Sequence, residues 1–346
     1  MTDPFETLPV GTGPHADETQ VLVAPDSFKG TITAPDVAAA IARGVRTVGS
    51  TAVELPVADG GEGTMDTLVR ALGGELHTVT TSDPLGRPVR ASWALLTDGR
   101  TAVVETAQAS GLGLVGEPER TPATAWAAST RGTGDLIAAA VATGAKRVLV
   151  TVGGSATTDG GAGALEALTE VDVGDVAIDV LCDVTTPFEQ APAVFAPQKG
   201  ADASTIAQLE FRLAALAETF ARDPRDEPMT GAGGGLAGGL WAQHGARLVS
   251  GAAYLLDAVG FDDLVRGATL VITGEGRLDL QTRDGKIVGE IARRCCRIGT
   301  PCHVVAGRNE LAPHERAQIG ITSTTEAGTI AALEAAGSAL GRRGPG

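Results

Sequence analysis

Short apolar runs alternate with alanine-rich stretches of helical period along most of the chain. Near the start, the pattern predicts a strand at residues 21–24, a helix at 35–48 with Thr33 as its N-cap, a strand at 52–56 and a helix at 64–72. Near the end, it predicts strands at residues 270–273, 303–306 and 320–324, a helix at 286–297 and a last helix from Thr329. Together the two ends supply five strands, enough for one doubly wound parallel sheet.

The middle of the chain begins with a different pattern. Three strands near residues 75–81, 89–96 and 101–105 are joined by short turns, which is typical of antiparallel pairing. Helices and strands alternate after them. We therefore expect an α/β fold with two α/β domains, in which a doubly wound sheet is interrupted by an inserted mixed α/β domain. The predicted domains are residues 20–74 plus 266–340 and residues 75–265, with disordered ends at 1–19 and 341–346.

Composition excludes several classes of function. The 346 residues suggest roughly two domains of about 150 residues each. With 42 acidic and 27 basic side chains, the net charge of −15 argues against nucleic-acid binding. The four cysteines form no CxxC pair, which favours free thiols in a reducing compartment. No long apolar run or basic leader is visible, so we expect a cytoplasmic protein without a membrane contact.

Two glycine-rich loops follow the first two predicted strands. The first, PDSFKG at residues 25–30, contains Ser27 and Lys29, which suit a phosphate or a carboxylate. The second, ADGGEGT at residues 58–64, places Asp59 among glycines before a helix. That carboxylate could bind Mg²⁺, act as a base, or simply interact with the helix dipole.

Two more loops follow strands later in the chain. The segment at residues 153–163 can form an anion-binding nest, with Asp159 as a candidate metal ligand and further candidate phosphate ligands at Gly153, Gly154, Ser155, Thr157 and Gly160. Lys199, in PQKG, adds a cation. The segment from Thr273 is predicted as a loop carrying Glu275, Arg277 and Asp279, either as a binding site or as a solvated set of ion pairs.

Several well-known motifs are missing. The sequence contains no GxxxxGK[ST], no HExxH and no GxSxG, which argues against a P-loop enzyme, a zinc protease and a serine hydrolase. A GxGxxG match at Gly233, Gly235 and Gly238 does not follow a strand, so it is not a dinucleotide fingerprint.

Taken together, these segments resemble the bacterial glycerate kinase family of glycerate and glyoxylate metabolism. The matches are PDSFKG, ADGGEGT, GTGDLI at residues 132–137, residues 153–163, PQKG, the glycine run at 231–239 and TGEGRLDLQTRDGK at 273–286. The resemblance implies transfer of the ATP γ-phosphoryl group to D-glycerate, giving 2-phosphoglycerate with Mg²⁺ as cofactor. It also implies a flavodoxin-like domain that carries an inserted second domain.

On this resemblance, roles can be given to the loops. The 153–163 nest and Lys199 would hold the ATP phosphates, and Asp59 and Asp159 would bind metal or act as base. Lys29 and Arg277 would hold the glycerate carboxylate or the transferring phosphoryl group, while Ser27, Glu275 and Asp279 contact substrate. The expected partner is a small molecule, and a homodimer is left open. The alternatives are another small hydroxy acid as substrate, 3-phosphoglycerate as product, and a non-catalytic glycerate or phosphate sensor.

Overall fold

The computed structural model describes residues 20–28, 31–283 and 286–342. The predicted disorder at residues 1–19 and the predicted site residue Lys29 lie outside the described residues. The strands within the described part are β1 (Gln20–Val23), β2 (Thr51–Glu54), β3 (Gly74–Ser82), β4 (Pro88–Leu96), β5 (Thr101–Glu105), β6 (Arg147–Thr151), β7 (Ala177–Cys182), β8 (Arg247–Ser250), β9 (Leu270–Leu278), β10 (Cys302–Asn309) and β11 (Ser323–Glu326).

Helices separate most of these strands. They are α1 (Ala34–Arg46), α2 (Thr64–Leu72), α3 (Ala107–Ser110), α4 (Pro122–Ala127), α5 (Arg131–Ala142), α6 (Ala162–Leu168), α7 (Ala191–Phe195), α8 (Ala203–Ala217), α9 (Leu236–His244), α10 (Gly251–Ala258), α11 (Phe261–Arg266), α12 (Leu280–Arg283), α13 (Ile287–Ile298), α14 (Pro313–Gln318) and α15 (Ile330–Gly341). The predicted N-cap of α1 is confirmed, because Thr33 accepts from the N–H of Asp36; the predicted start of the last helix is confirmed too, and its N-cap Thr329 accepts from the N–H of Ala332. Within the described residues, no helix combines the length and the apolar character that a membrane crossing needs.

The two ends of the chain form a five-stranded sheet. Its order is β11-β10-β9-β1-β2, and every neighbouring pair is parallel. Numbered along the chain within this sheet, the order is 2-1-3-4-5, which is that of flavodoxin-like folds. The predicted flavodoxin-like sheet is therefore confirmed. Its topological switch point lies between β1 and β9.

Alternate residues of the central strands pack into the hydrophobic clusters on opposite faces of this sheet. In β1, Val21 and Val23 pack with α1 and α15, whereas Leu22 packs with α13 on the opposite face. Because successive side chains point to opposite faces, a sheet covered on both sides needs strands that are apolar throughout. The run LVIT at the start of β9 meets the same requirement, since all four residues are buried.

The middle of the chain forms a six-stranded sheet. Its order is β3-β4-β5-β6-β7-β8, with antiparallel pairing from β3 to β5 and parallel pairing from β5 to β8. This mixed pattern is the one predicted. Helices α3, α5, α6 and α9 cover one face, and the cluster there contains Trp93, Val148 and Val180 from the strands. The short strand β8 and the helices α9 to α11 are absent from the sequence prediction.

One hydrophobic cluster joins the two sheets. It includes Val103 and Leu149 from the six-stranded sheet, Leu68 and Leu255 from α2 and α10, and Val271 from β9. Helices α2, α10, α11 and α13 therefore pack into a core to which both sheets contribute. The domain boundaries after residues 74 and 265 stay predictions, because this core includes residues from both sides of each boundary.

Strand β9 is longer than predicted. The segment from Gly274 is predicted as a loop, but β9 runs to Leu278 and pairs with β10 up to Asn309. A Cβ atom at Gly274 would lie 2.3 Å from the carbonyl oxygen of Val305, so this glycine permits the close approach of two strands rather than a turn. The prediction of a loop here is wrong, because pairing with a distant strand outweighs the local glycine and charge content.

The prediction of disorder at residue 341 is wrong. Gly341 is the last residue of α15, and its carbonyl oxygen accepts a hydrogen bond of 3.0 Å from the Ser50 hydroxyl. Residues 343–346 lie outside the described residues. The helix continues past the predicted boundary because Leu340 and Gly341 are buried against α1.

Candidate active site

A cleft of about 380 Å³ opens beside the carboxyl ends of β1 and β9. Besides Thr31, its polar lining includes six residues, Asp26, Ser27, Asp59, Glu275, Arg277 and Lys286. Three come from loops after β1 and β2, two from β9, and Lys286 is the N-cap residue of α13. Open α/β sheets bind ligands at the topological switch point, and this cleft lies there, so it is the candidate site.

The cleft gathers four of the predicted site residues. Ser27, Asp59, Glu275 and Arg277 all line it. Asp279 does not line the cleft, although its carboxylate lies 3.7 Å from the Arg277 guanidinium. The signal that found the four was their shared position after predicted strands.

The carboxylate of Glu275 is almost completely shielded from solvent. Its residue is 6% exposed, and the Thr282 hydroxyl donates a 2.6 Å hydrogen bond to its Oε1. Burial raises the pKa of Glu275 to about 7, while the Thr282 hydrogen bond and the charge of Lys286 act in the opposite direction. A carboxylate with such a pKa can exchange protons near neutral pH.

Arg277 lies at the mouth of the cleft and is paired with Glu310. Its Nη2 is 2.7 Å and its Nε 3.0 Å from Glu310 Oε2. Arg308, opposite Arg277 on the neighbouring strand, contacts the other oxygen of Glu310 at 3.2 Å. The Arg277 side chain is 64% exposed, so an incoming anion can compete with Glu310 for it.

Asp26 and Asp59 supply carboxylate oxygens inside the cleft. Both are buried, and each accepts a nearby backbone N–H, from Ser27 at 2.6 Å and from Gly61 at 3.1 Å respectively. Among the described residues, no three His, Cys, Asp or Glu side chains converge as a protein-only metal cage. Two carboxylates with substrate phosphate oxygens suit Mg²⁺, so Asp26 and Asp59 fit that ion.

Asp159 is engaged in internal hydrogen bonds and does not line the cleft. Its Oδ2 accepts from the Thr130 N–H and hydroxyl, both at 2.8 Å, and from the Gly163 N–H at 3.2 Å. Its Oδ1 accepts from the Gly161 N–H at 3.1 Å. These bonds tie the start of α5 to the start of α6. The metal or base role of Asp159 stays a prediction, and the observed contacts are structural.

Lys199 is hydrogen-bonded to the 153–163 loop at two points. Its Nζ donates to the Ser155 hydroxyl at 3.1 Å and to the Thr157 carbonyl oxygen at 2.5 Å. Burial lowers the pKa of Lys199 to about 7. Lys199, Thr157 and Gly160 are all buried, so the predicted phosphate contact would require this part of the loop to open.

The solvent-accessible part of the 153–163 loop contacts the loop that carries Asp59. Gly154 is exposed and Gly153 is half-buried. A Cβ atom at Gly153 would lie 2.5 Å from the Cα of Gly61, so the two glycine-rich loops touch backbone to backbone. The contact places one predicted phosphate-binding segment beside the segment that lines the cleft.

Sequence reasoning missed some residues of the site. Asp26 and Lys286 lie inside the matched segments PDSFKG and TGEGRLDLQTRDGK, so their charge was a usable signal. Glu310 reaches Arg277 only because β10 pairs with β9, which no local pattern indicates. Sequence reasoning also missed Glu105, a buried residue that does not line the cleft, whose carboxylate accepts the Met65 N–H at 2.8 Å in the first turn of α2.

Comparison with known proteins gives a consistent result. The family model for the glycerate kinase family matches residues 21–172 and 169–336. A glycerate kinase of Bacillus subtilis is 40% identical over 330 residues, covering 83% of this chain and 85% of that protein. A glycerate 2-kinase of Escherichia coli is 37% identical over 326 residues, with the same coverage of 83% and 85%.

A solved structure is similar over nearly the whole fold. It is a glycerate kinase 2 from Salmonella typhimurium LT2, with a TM-score of 0.77 and 32% sequence identity, and the match covers 94% of this chain and 98% of that one. The two-sheet architecture, the cleft at the switch point and these matches agree with one another. The chain is an enzyme, and it belongs to the glycerate kinase family.

Proposed function

We propose that this enzyme transfers the γ-phosphoryl group of ATP to D-glycerate and releases 2-phosphoglycerate and ADP. The observation that carries the proposal is the cleft itself, where three buried carboxylates and two cations from several different elements surround one cavity. Phosphoryl transfer requires positioning and charge neutralisation more than covalent chemistry. A site with both signs of charge in a small volume meets that requirement.

The cations suit the anionic groups of the reactants. Arg277 and Lys286 face the cleft and can hold the glycerate carboxylate or the transferring phosphoryl group, with Ser27 as a neutral donor. Binding of an anion by Arg277 would replace its exposed ion pair with Glu310, which is a weak interaction in water.

Asp26 and Asp59 would hold Mg²⁺ in this proposal. The ion, when bound, neutralises charge on the phosphate oxygens. Asp59 takes this role in preference to that of base, because its loop contacts Gly153 through Gly61, on the side toward which the phosphates would extend. The ATP phosphates would extend toward the exposed edge at Gly153 and Gly154.

A coupled ADP-release assay with ATP, Mg²⁺ and a panel of small hydroxy acids tests the proposal. We expect D-glycerate to give the highest kcat/KM, and NMR of the product to show phosphate on the 2-hydroxyl. A different preferred acid, or phosphate on the 3-hydroxyl, would contradict the proposed substrate or product. Asp59→Asn should lower kcat/KM at least a hundredfold, and a loss of less than tenfold would contradict its assigned role.

A further inference from the structure

Glu275 differs from the other carboxylates of the cleft in how it is held. It lies on β9, the central strand of the five-stranded sheet, rather than on a loop. The Thr282 hydroxyl from α12 donates to Oε1 at 2.6 Å. Its backbone is fixed on one side by the ladder to β10, where it lies opposite Ala306. A group used for proton transfer benefits from such a rigid support.

The surroundings of Glu275 contain both signs of charge. Lys286, at the start of α13, stabilises its carboxylate form, whereas Asp279 and Asp59 oppose it. Asp26 and Arg277 line the same cleft. The Glu275 carboxylate is buried away from bulk water. Arg277 pairs with Glu310 and does not neutralise Glu275 through a close ion pair.

The other groups of the cleft are poor candidates for a base. Arg277 is always protonated, and an ammonium such as Lys286 carries no acceptor. Asp26 and Asp59 are assigned to Mg²⁺ in the proposed function, and a carboxylate whose oxygens bind the ion is not available to take the proton. Among the described acidic residues that line the cleft, Glu275 is the one left for this task.

We propose that Glu275 is the general base of the phosphoryl transfer, with Thr282 as a positioning residue, an inference that rests on the proposed function. The carboxylate takes the proton of the attacking hydroxyl. The hydroxyl oxygen forms a bond to the γ-phosphorus, the bond from that phosphorus to the bridging oxygen breaks, and ADP leaves with the electron pair. Thr282 holds Oε1, so that Oε2 is the oxygen that receives the proton.

Glu275→Gln tests the base directly, because the amide keeps the size and the acceptor for Thr282 but cannot take the proton. We expect kcat to fall at least a hundredfold, a typical contribution of general-base catalysis, while ATP affinity by calorimetry and KM for the acid change less than threefold. Glu334→Gln is the matched control, since Glu334 pairs with Arg43 on the outer helices α1 and α15 and should keep full activity.

Thr282 variants separate positioning from packing. Thr282→Val removes the hydroxyl and should lower kcat about tenfold with little change in KM, since the carboxylate loses its fixed orientation. Thr282→Ser keeps the hydroxyl and should restore kcat to within threefold of the original enzyme. If Thr282→Ser were as impaired as Thr282→Val, the effect would come from lost packing, and the positioning role would be wrong.

The assay uses whichever acid the unmodified enzyme phosphorylates fastest, so that the two proposals fail separately. A preferred acid other than D-glycerate would contradict the proposed substrate and leave the Glu275 comparison intact. A folded Glu275→Gln enzyme that keeps more than a tenth of kcat would overturn the base assignment. Absence of turnover by the unmodified enzyme with every acid would overturn both.

Discussion

At the scale of single residues, the environment of Glu275 predicts a pH dependence. Burial raises its pKa to about 7, and a base must be deprotonated to act. We therefore expect kcat/KM, which reports ionisations of the free enzyme, to fall as the pH drops below about 7. Removal of the Thr282 hydrogen bond, which favours the charged form, should move this acidic limb to higher pH.

The measurement is kcat/KM for the acid substrate from pH 5.5 to 9, for the original enzyme and for Thr282→Val. A limb that moves to lower pH in the variant, or a profile flat through pH 6, would contradict the assignment.

The buried carboxylate of Glu105 should affect the stability of the fold rather than catalysis. Burial raises the pKa of Glu105 to about 7, whereas its ordinary value is 4.5. The folded state then binds more protons than the unfolded state between these values, so Glu105 lowers the free energy of unfolding as the pH rises through that range. Glu105→Gln keeps an acceptor for the Met65 N–H without the buried charge.

For Glu105→Gln, we expect a gain on the order of 2 kcal/mol in the free energy of unfolding at pH 8 and little change at pH 4.5. Urea denaturation at both pH values measures this. Equal shifts at the two pH values would show that ionisation of Glu105 is not the cause.

At the scale of elements, Asp159 should act mainly on stability. Its carboxylate holds the starts of α5 and α6 through four hydrogen bonds, at least one of which Asn cannot replace. We expect Asp159→Asn to lower the free energy of unfolding by about 2 kcal/mol, because hydrogen bonds to charged groups are the strong ones. At a temperature where the variant stays folded, kcat should change less than tenfold.

Asp202→Asn provides the matched control for Asp159. Asp202 caps α8 with the same kind of contact, a 2.8 Å hydrogen bond from the Thr205 N–H, but is exposed. Its loss should cost less, about 1 kcal/mol or below. If Asp159→Asn instead kept its stability and lost activity, the predicted metal or base role would be correct.

The elements also show where sequence reasoning succeeds. Strand β5 and helix α2 have the predicted bounds, because β5 is a clear apolar run and α2 is an amphipathic stretch between glycines. Strand β9 was cut short in the prediction, since its glycine and charged residues are typical of loops, and the pairing with β10 that overrides them is remote in sequence. The internal role of Asp159 could not be predicted either, because a carboxylate in a glycine-rich loop looks alike whether it faces a ligand or its own backbone.

At the scale of the whole molecule, the shared core predicts a single unfolding transition. Helices α2, α10, α11 and α13 contribute to one cluster with strands of both sheets. Separating the sheets would expose that cluster, so neither sheet should unfold alone. Calorimetry should give one peak with a van't Hoff enthalpy close to the calorimetric one. Two resolved peaks would show that the sheets are independent units.

The pairing of β1 with β9 has a consequence for biosynthesis. Val21 lies between Ala52 and Leu270 in the sheet, so β1 meets its partner β2 early but its other partner, β9, only after most of the chain has been translated. Until β9 is made, the side of β1 that will pair with β9 is an unpaired strand edge, which can form hydrogen bonds with incorrect strands. The six-stranded sheet, whose strands lie between Gly74 and Ser250, is complete earlier. We therefore expect nascent chains to need protection of strands β1 and β2, and the candidate active-site cleft to form late, after β9 has been made.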